Sequence, residues 1–293
     1  AQQPECNIFY PYFSKRLQEI LAKEQPILIG FSLNYLSQAI TTFAMIGLVK
    51  QIDPTLPVVV GGGLVTSWMS NFSWENPFSK LIDHLVPGPG EKSLLHLLGK
   101  QDCLDHHGPD FDGLPLGDYL APGFILPYAA SFGCYWNNCS FCPEKAEKNP
   151  YPSSSIDSVL DDIATLKQQT NPVMLHFLDN AISPALLKAL AFKPPGLPWY
   201  GFARVHSALA DVDFCHALRK SGCVMLKLGL ESGNQDILDT MNKGIDLGMV
   251  SQTLAALRIA GIRTYVYLLF GTPSETIDQP RHTLAFVVDH AVA

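Results

Sequence analysis

The sequence predicts an α/β protein of two domains in series, a doubly wound parallel sheet followed by a strand-helix barrel, and three observations carry that reading. Apolar, β-branched runs alternate with segments of helical period along most of the chain, the pattern of parallel sheets buried under helices. The alternation breaks over 101–123, where Asp102, Asp105, Asp110, Asp112 and Asp118 stand among glycines and prolines without any period; this places a first domain at 1–100, a linker at 101–123 and a second domain at 124–293. Of the 293 residues, 47% are hydrophobic and 16% charged, which supplies two well-buried cores and excludes a disordered chain.

The elements follow in order. The run 26–34 (PILIGFSLN) reads as a strand closing on Gly-Phe-Ser, and 38–51 repeats apolar residues at helical spacing. A second strand, 56–63, ends in three glycines; a third, within 81–91, turns through Gly88 and Gly90 into a helix at 92–98. In the second domain, strands are expected at 124–131, 173–178, 199–205, 224–230 and 264–270, with helices at 156–168, 184–191, 212–221, from 235 onward, and from the last strand to the end. Five such units without a sixth strand predict an incomplete barrel. Three strands are few for a doubly wound domain, so both ends read as cut from a longer protein.

The net charge of −7 is spread without basic blocks, so neither a nucleic acid nor an anionic membrane finds a footprint. The opening AQQPECNIFYPYF lacks a charged lead and an apolar core, and no stretch reaches the roughly 18 apolar residues of a membrane span. The expectation is a soluble, cytoplasmic protein.

Of seven cysteines, Cys6, Cys103, Cys215 and Cys223 are scattered while Cys134, Cys139 and Cys142 crowd one loop, a poor disulfide framework and a good metal-binding one. The C-x4-C-x2-C spacing after a strand brings three soft thiolates to one place, which suits an iron–sulfur cluster with one iron left open. Zinc is the alternative; it wants a fourth protein ligand, for which His106 and His107 are the nearest candidates.

A strand ending in a cysteine loop with an aromatic residue before its last cysteine, here Phe141, resembles the radical S-adenosylmethionine enzymes, with one extra residue between the first two cysteines. The segment Gly229 to Gln235 with Leu238, Met241 and Lys243-Gly244 resembles the fourth-strand region of those members that carry a cobalamin-type domain, and Leu269 to Thr276 resembles the fifth. The resemblance runs from Phe124 to the C-terminus. It implies a partial (β/α)6 barrel, a [4Fe–4S] cluster on Cys134, Cys139 and Cys142, reductive cleavage of S-adenosylmethionine to methionine and a 5′-deoxyadenosyl radical, and an external electron donor such as flavodoxin or ferredoxin. Phe141 would pack near the adenine.

Chemically, the amine, carboxylate, ribose hydroxyls and adenine of S-adenosylmethionine call for acids, donors and an apolar slot. Glu231 and Asp179 can accept from the amine or hydroxyls, Arg204 can pair with the carboxylate, and Gly271 admits the adenine close to backbone. Asp179 could equally be a helix N-cap or turn former, and Arg204 a structural ion pair across the barrel.

In the first domain, Ser32 and the glycines Gly61 and Gly62 resemble the elements that line the nucleotide-tail slot of cobalamin-binding domains, and Gly88-Pro-Gly-Glu91 resembles their closing turn, though it also reads as an ordinary strand-to-helix turn. The Asp-x-His-x-x-Gly loop that supplies a cobalt ligand is absent, His84 is out of that context, and no G-x-G-x-x-G follows the first strand. Cobalamin bound without histidine, an element lying upstream, and a domain kept as scaffold all remain open. With cobalamin the resemblance implies methyl transfer to a small-molecule or peptide substrate; without it, rearrangement, cyclisation or sulfur insertion. A non-catalytic iron–sulfur or zinc module is the reading from another class. A bulky residue at Gly62 is expected to block the slot while leaving the domain folded.

Overall fold

A computed structural model describes residues 1–71, 73–101, 108–273 and 275–291. The chain divides into two compact units, Ala1–Asp105 and His106–Ala293. His106, His107 and Cys103 lie outside the described residues.

The first unit holds α1 (Tyr10–Glu24), β1 (Ile29–Ser32), α2 (Leu36–Ile52), β2 (Val58–Gly61), α3 (Gly63–Met69), β3 (His84–Val86) and α4 (Glu91–Leu97). Its three strands are parallel and lie in chain order, Ile29 beside Val58 and Val59 beside His84. Helix α2 is apolar around most of its circumference, because it packs on the sheet through one side and on α1 through another; Ile46 and Val49 are fully buried, and α1 contributes Phe13 and Leu17. Sequence reasoning missed α1, although Phe13, Leu17 and Leu21 recur at i, i+4 and i+8.

The second unit begins its regular structure with β4 (Ile125–Tyr128) and α5 (Pro143–Ala146), then α6 (Ile156–Thr170), β5 (Met174–Phe177), α7 (Pro184–Phe192), β6 (Trp199–Ala203), α8 (Val212–Lys220), β7 (Cys223–Glu231), α9 (Gln235–Thr240), α10 (Leu247–Ile259), β8 (Arg263–Leu268) and α11 (Asp278–His290). The five strands are parallel and again in chain order, the half-open (β/α) barrel that the repeated units predict. Burial alternates along each strand. Leu126, Leu175, Phe177, Trp199, Leu226 and Leu228 sit under the helices, while the residues between them face the lumen. The buried Trp199 indole donates to Ser221 at 3.2 Å, so even this polar tip is satisfied. Part of the expected linker packs into this unit, since the Phe111 ring stands edge-on to Phe124 at 5.5 Å.

One polar clasp closes the first unit. Lys50, at the end of α2, donates to the Leu56 carbonyl and to Asp83, both at 2.8 Å, and Asp83 accepts from the Val58 N–H at 2.7 Å. Partial burial works against the Asp83 charge, but Lys50 and the Val58 N–H outweigh it and hold the carboxyl below the usual carboxylate range. A depressed folded value adds stability that is present above the ordinary carboxylate pKa and lost as pH falls through the folded one. Asp83→Asn is therefore expected to lower the urea midpoint at pH 7 and to lose that difference from wild type well below about pH 4; an equal difference at pH 7 and pH 3 would refute the clasp.

Candidate functional site

The cysteine loop leaves β4 through a clamp. Asp179, just past β5, is fully buried and accepts from the Ala130 N–H at 3.1 Å and from the Ser131 hydroxyl. Burial raises its carboxyl above the ordinary value against the pull of those two donors. It caps no helix: the N-cap of α7 is Ser183, which accepts from the Leu186 N–H. The far end of the loop returns beside its start, with Phe132 N–H donating to Pro152 O and Ser154 N–H to Ala130 O. Gly133 has φ +73°, and a Cβ there would lie 2.7 Å from the Pro150 carbonyl, so the first turn requires glycine.

The extra residue between Cys134 and Cys139 has a local solution. Asn137 takes φ +43°, a left-handed conformation that asparagine tolerates. Cys142 closes a turn onto Cys139 and leads into α5. Burial pushes the free Cys142 thiol up, and the N–H groups of Glu144 and Lys145 pull it back.

The loop is docked across the barrel mouth onto the turn after α9. Ser140 N–H donates to Met241 O at 2.8 Å, the Asn242 amide to Asn138 O at 3.1 Å and the Trp136 indole to Asn242 O at 3.3 Å. Gly244, at φ +66°, leaves room for the Trp136 ring, which any Cβ there would enter. Arg204 lies against that ring, its guanidinium carbon 4.4 Å from the centroid, and donates to Lys243 O at 2.6 Å and toward Cys139 Sγ at 3.9 Å. Arg204 is 8% exposed and forms no ion pair with a carboxylate among the described residues. It is thus not the cross-barrel ion pair that the sequence left open; its guanidinium faces the Cys139 thiol.

Glu231 ends β7 with φ +69°, strained for a non-glycine residue, where the pairing with β8 slips by one. Its carboxylate meets the Lys243 ammonium at 2.7 Å, the side chains being 14% and 8% exposed. Gly229 makes room for the pair: a Cβ there would stand 2.6 Å from Glu231 Oε1 and 2.9 Å from Lys243 Nζ. The neighbouring Ser232 and Gly233 hold α11, through the Thr283 hydroxyl and close packing on Phe286.

Cys134, Cys139, Cys142, Phe141, Asp179, Arg204 and Glu231 all line one cavity of about 480 Å³ at the carboxyl ends of the strands, where barrels carry their chemistry. Lys243 lines it too, its ammonium 5.7 Å from the centre of the Phe141 ring. Gly271 is the exception: it is exposed and outside the cavity wall, and its N–H is taken by the Glu275 carboxylate. No three His, Cys, Asp or Glu among the described residues converge on a single-ion site. Three thiols around a cavity, beside a buried cation without a carboxylate, fit a bulky anionic cluster.

In the first unit Ser32, Gly61 and Gly62 line a second cavity of about 440 Å³ at the carboxyl ends of its strands, closed by Gly88 and Gly90. No histidine among the described residues lines it, and His84 is exposed at the start of β3. The expectation for Gly62 needs correction. Its φ is +103° and a Cβ there would meet the Leu33 carbonyl at 2.6 Å, so a valine strains the fold itself. Gly30 serves better, because a Cβ there makes only ordinary contact with Val59 at 3.5 Å.

Sequence reasoning missed Trp136 and the pairing role of Lys243. The signal available was the Lys-Gly pair after an α9-like segment, which spacing alone does not connect to Glu231.

The Radical SAM superfamily profile matches residues 130–287, more than half of the chain, and the chain belongs to that superfamily, a family of enzymes that implies S-adenosylmethionine and a [4Fe–4S] cluster. It is 24% identical over 307 residues to an uncharacterized methyltransferase, PH0819, of Pyrococcus horikoshii, covering 92% of this chain and 66% of that protein. It is 23% identical to the anaerobic magnesium-protoporphyrin IX monomethyl ester cyclase of Rubrivivax gelatinosus, covering 83% and 50%. Among solved structures it matches the radical S-adenosylmethionine methyltransferase TsrM of Kitasatospora setae, with tryptophan and a S-adenosylmethionine analogue bound, at TM-score 0.75 and 20% identity, over 96% of this chain and 63% of that one. It matches the cobalamin-dependent radical enzyme OxsB, with aqua-cobalamin bound, at TM-score 0.66 and 18% identity, over 93% and 45%. The fold is therefore that of a cobalamin-binding-like α/β domain followed by a radical SAM partial barrel. The chain spans between about half and two thirds of the length of the two curated relatives.

Lys243→Met is expected to destabilise the second unit by about 3–5 kcal/mol, the cost of leaving a buried charge unpaired, and adding Glu231→Gln should recover most of that loss. Chemical denaturation of both single variants and the double variant measures the coupling, and strict additivity would rule it out.

Proposed function

We propose that this enzyme cleaves S-adenosylmethionine at a [4Fe–4S] cluster held by Cys134, Cys139 and Cys142, and that it does so for methyl transfer assisted by cobalamin held against Ser32, Gly61 and Gly62. One observation carries the first half: a single cavity combines three thiols, an aromatic wall, acidic groups and a buried guanidinium that faces a thiol. When bound, the cluster supplies one electron to the sulfonium, whose C–S bond breaks to give methionine and a 5′-deoxyadenosyl radical. The chain's own residues do the rest. Arg204 offsets the charge of the thiolates, and Asp179 fixes the root of their loop. Glu231, held in place by Lys243, is an acceptor for the amine or a ribose hydroxyl, and Phe141 offers a face to the adenine.

The second half rests on the glycine-lined cavity of the first unit and on the names of the relatives, a methyltransferase and a cobalamin-dependent enzyme among them. When bound, cobalamin carries the methyl group. Ser32, Gly61 and Gly62 would hold it from the carboxyl ends of the first unit's strands. The glycines bring the backbone close to a flat, bulky tail.

Anaerobic reconstitution is expected to give about four irons per chain. Cys134→Ala, Cys139→Ala and Cys142→Ala should each lose them, whereas Cys6→Ala, at an exposed position remote in sequence, should keep them. Stoichiometric zinc without iron would replace the radical reading by a zinc module.

Hydroxocobalamin should bind the wild type and be excluded by Gly30→Leu, which fills the slot without the strain that Gly62→Val brings. A cluster-loaded wild type that ignores hydroxocobalamin would leave the first unit as a scaffold and withdraw methyl transfer.

A further inference from the structure

The two faces of the barrel sheet are chemically opposite. Under the helices lie Leu, Phe and Trp side chains, all buried; on the lumen side stand His176, Tyr200, Phe202, Lys227, Tyr265 and Tyr267. A barrel that closes on itself fills its lumen with branched aliphatic residues. This lumen is lined by rings and a lysine instead, and Tyr265 and Tyr267, on the edge strand β8, are 55% and 37% exposed. The rings form two walls. His176 stacks on Tyr200 at 4.3 Å and 9°, and Tyr267 lies 4.9 Å from both Phe202 and Tyr265.

Into this aromatic lining the half-buried Lys227 brings a positive charge. Its ammonium is 3.4 Å from His176 Nε2 and 5.1 and 5.3 Å from the centres of the Tyr200 and Phe202 rings, and no carboxylate pairs with it among the described residues. Burial and the nearby ammonium hold His176 below its ordinary pKa, so the imidazole is neutral and accepts one N–H of Lys227. The other two ammonium hydrogens stay available. Phe202, Gly229 and Tyr267 belong to this face and also line the cysteine cavity, so the two spaces adjoin.

We propose that Lys227 sets what this barrel accepts, a flat aromatic or conjugated molecule bearing a carboxylate: the rings take the planar body and Lys227 takes the carboxylate. The inference rests on the radical reading above for what then happens to the substrate, but not for the binding. Tyrosine and phenylalanine faces recognise a planar body through offset or edge contacts, and a half-buried ammonium discriminates between an anion and its neutral isostere.

The probes are 2-naphthoate and its neutral counterpart 2-naphthamide, titrated calorimetrically into the anaerobically reconstituted protein. The naphthoate should bind tighter by about tenfold or more. Lys227→Met should remove that preference while leaving 2-naphthamide within about twofold, and Lys227→Arg should keep it. Equal affinity for the two probes in the wild type, or a preference that survives Lys227→Met, overturns the assignment. Iron content of the same samples judges the radical reading separately. Naphthoate preference without a cluster keeps the binding site and removes the radical chemistry, whereas a full cluster without the preference removes only this inference.

Discussion

The turn after α9 is the point on which the site depends. Lys243 sends its ammonium to Glu231 and its carbonyl to Arg204, while its neighbours Met241 and Asn242 receive the cysteine loop. Gly244 then accepts the Trp136 ring because it has no side chain. A turn of four residues thereby couples an acid on β7, a cation from the end of β6 and the three thiols after β4. Such a network is cooperative in a low dielectric, where each buried polar group is costly unless its partners are present.

Charge is distributed unevenly across this framework. Lys243 is neutralised within the protein by Glu231; Arg204 and Lys227 are not neutralised by any carboxylate among the described residues. Burying a cation without an anion is expensive, and of the two only Arg204 is buried. Arg204 faces a thiol and Lys227 an aromatic lumen, so the two cations stand in different surroundings. The strained backbone at Glu231 has the same logic: its position is dictated by the pair it makes, at the expense of a regular ladder.

The first unit works through absence of side chains. Gly62 approaches the Leu33 carbonyl so closely that its conformation belongs to the fold, while a Cβ at Gly30, on the same rim, would make only ordinary contact with Val59. Two glycines lining one cavity thus have different tasks, one structural and one permissive, and only their φ angles and neighbours tell them apart.

Much of this was legible in the sequence. The alternation of apolar runs with helical periods marked both sheets, because period is a local property of the chain, and the cysteine spacing identified the loop for the same reason. The tight grouping of Cys134, Cys139, Cys142 and Phe141 required nothing beyond nine consecutive residues. Helix α1 had a readable amphipathic stripe, yet its reason for being, cover for α2, appears only once α2 is seen to be apolar on more than one side. The roles of Arg204, Asp179 and Lys243 were decided by tertiary structure alone. Arg204 meets partners 39 and 65 residues away, and Asp179 clamps a strand end 49 residues before it, since parallel strands become neighbours only after an intervening helix has crossed over. No spacing rule in the chain carries that information: strand order and the closure of the barrel mouth choose which side chains meet.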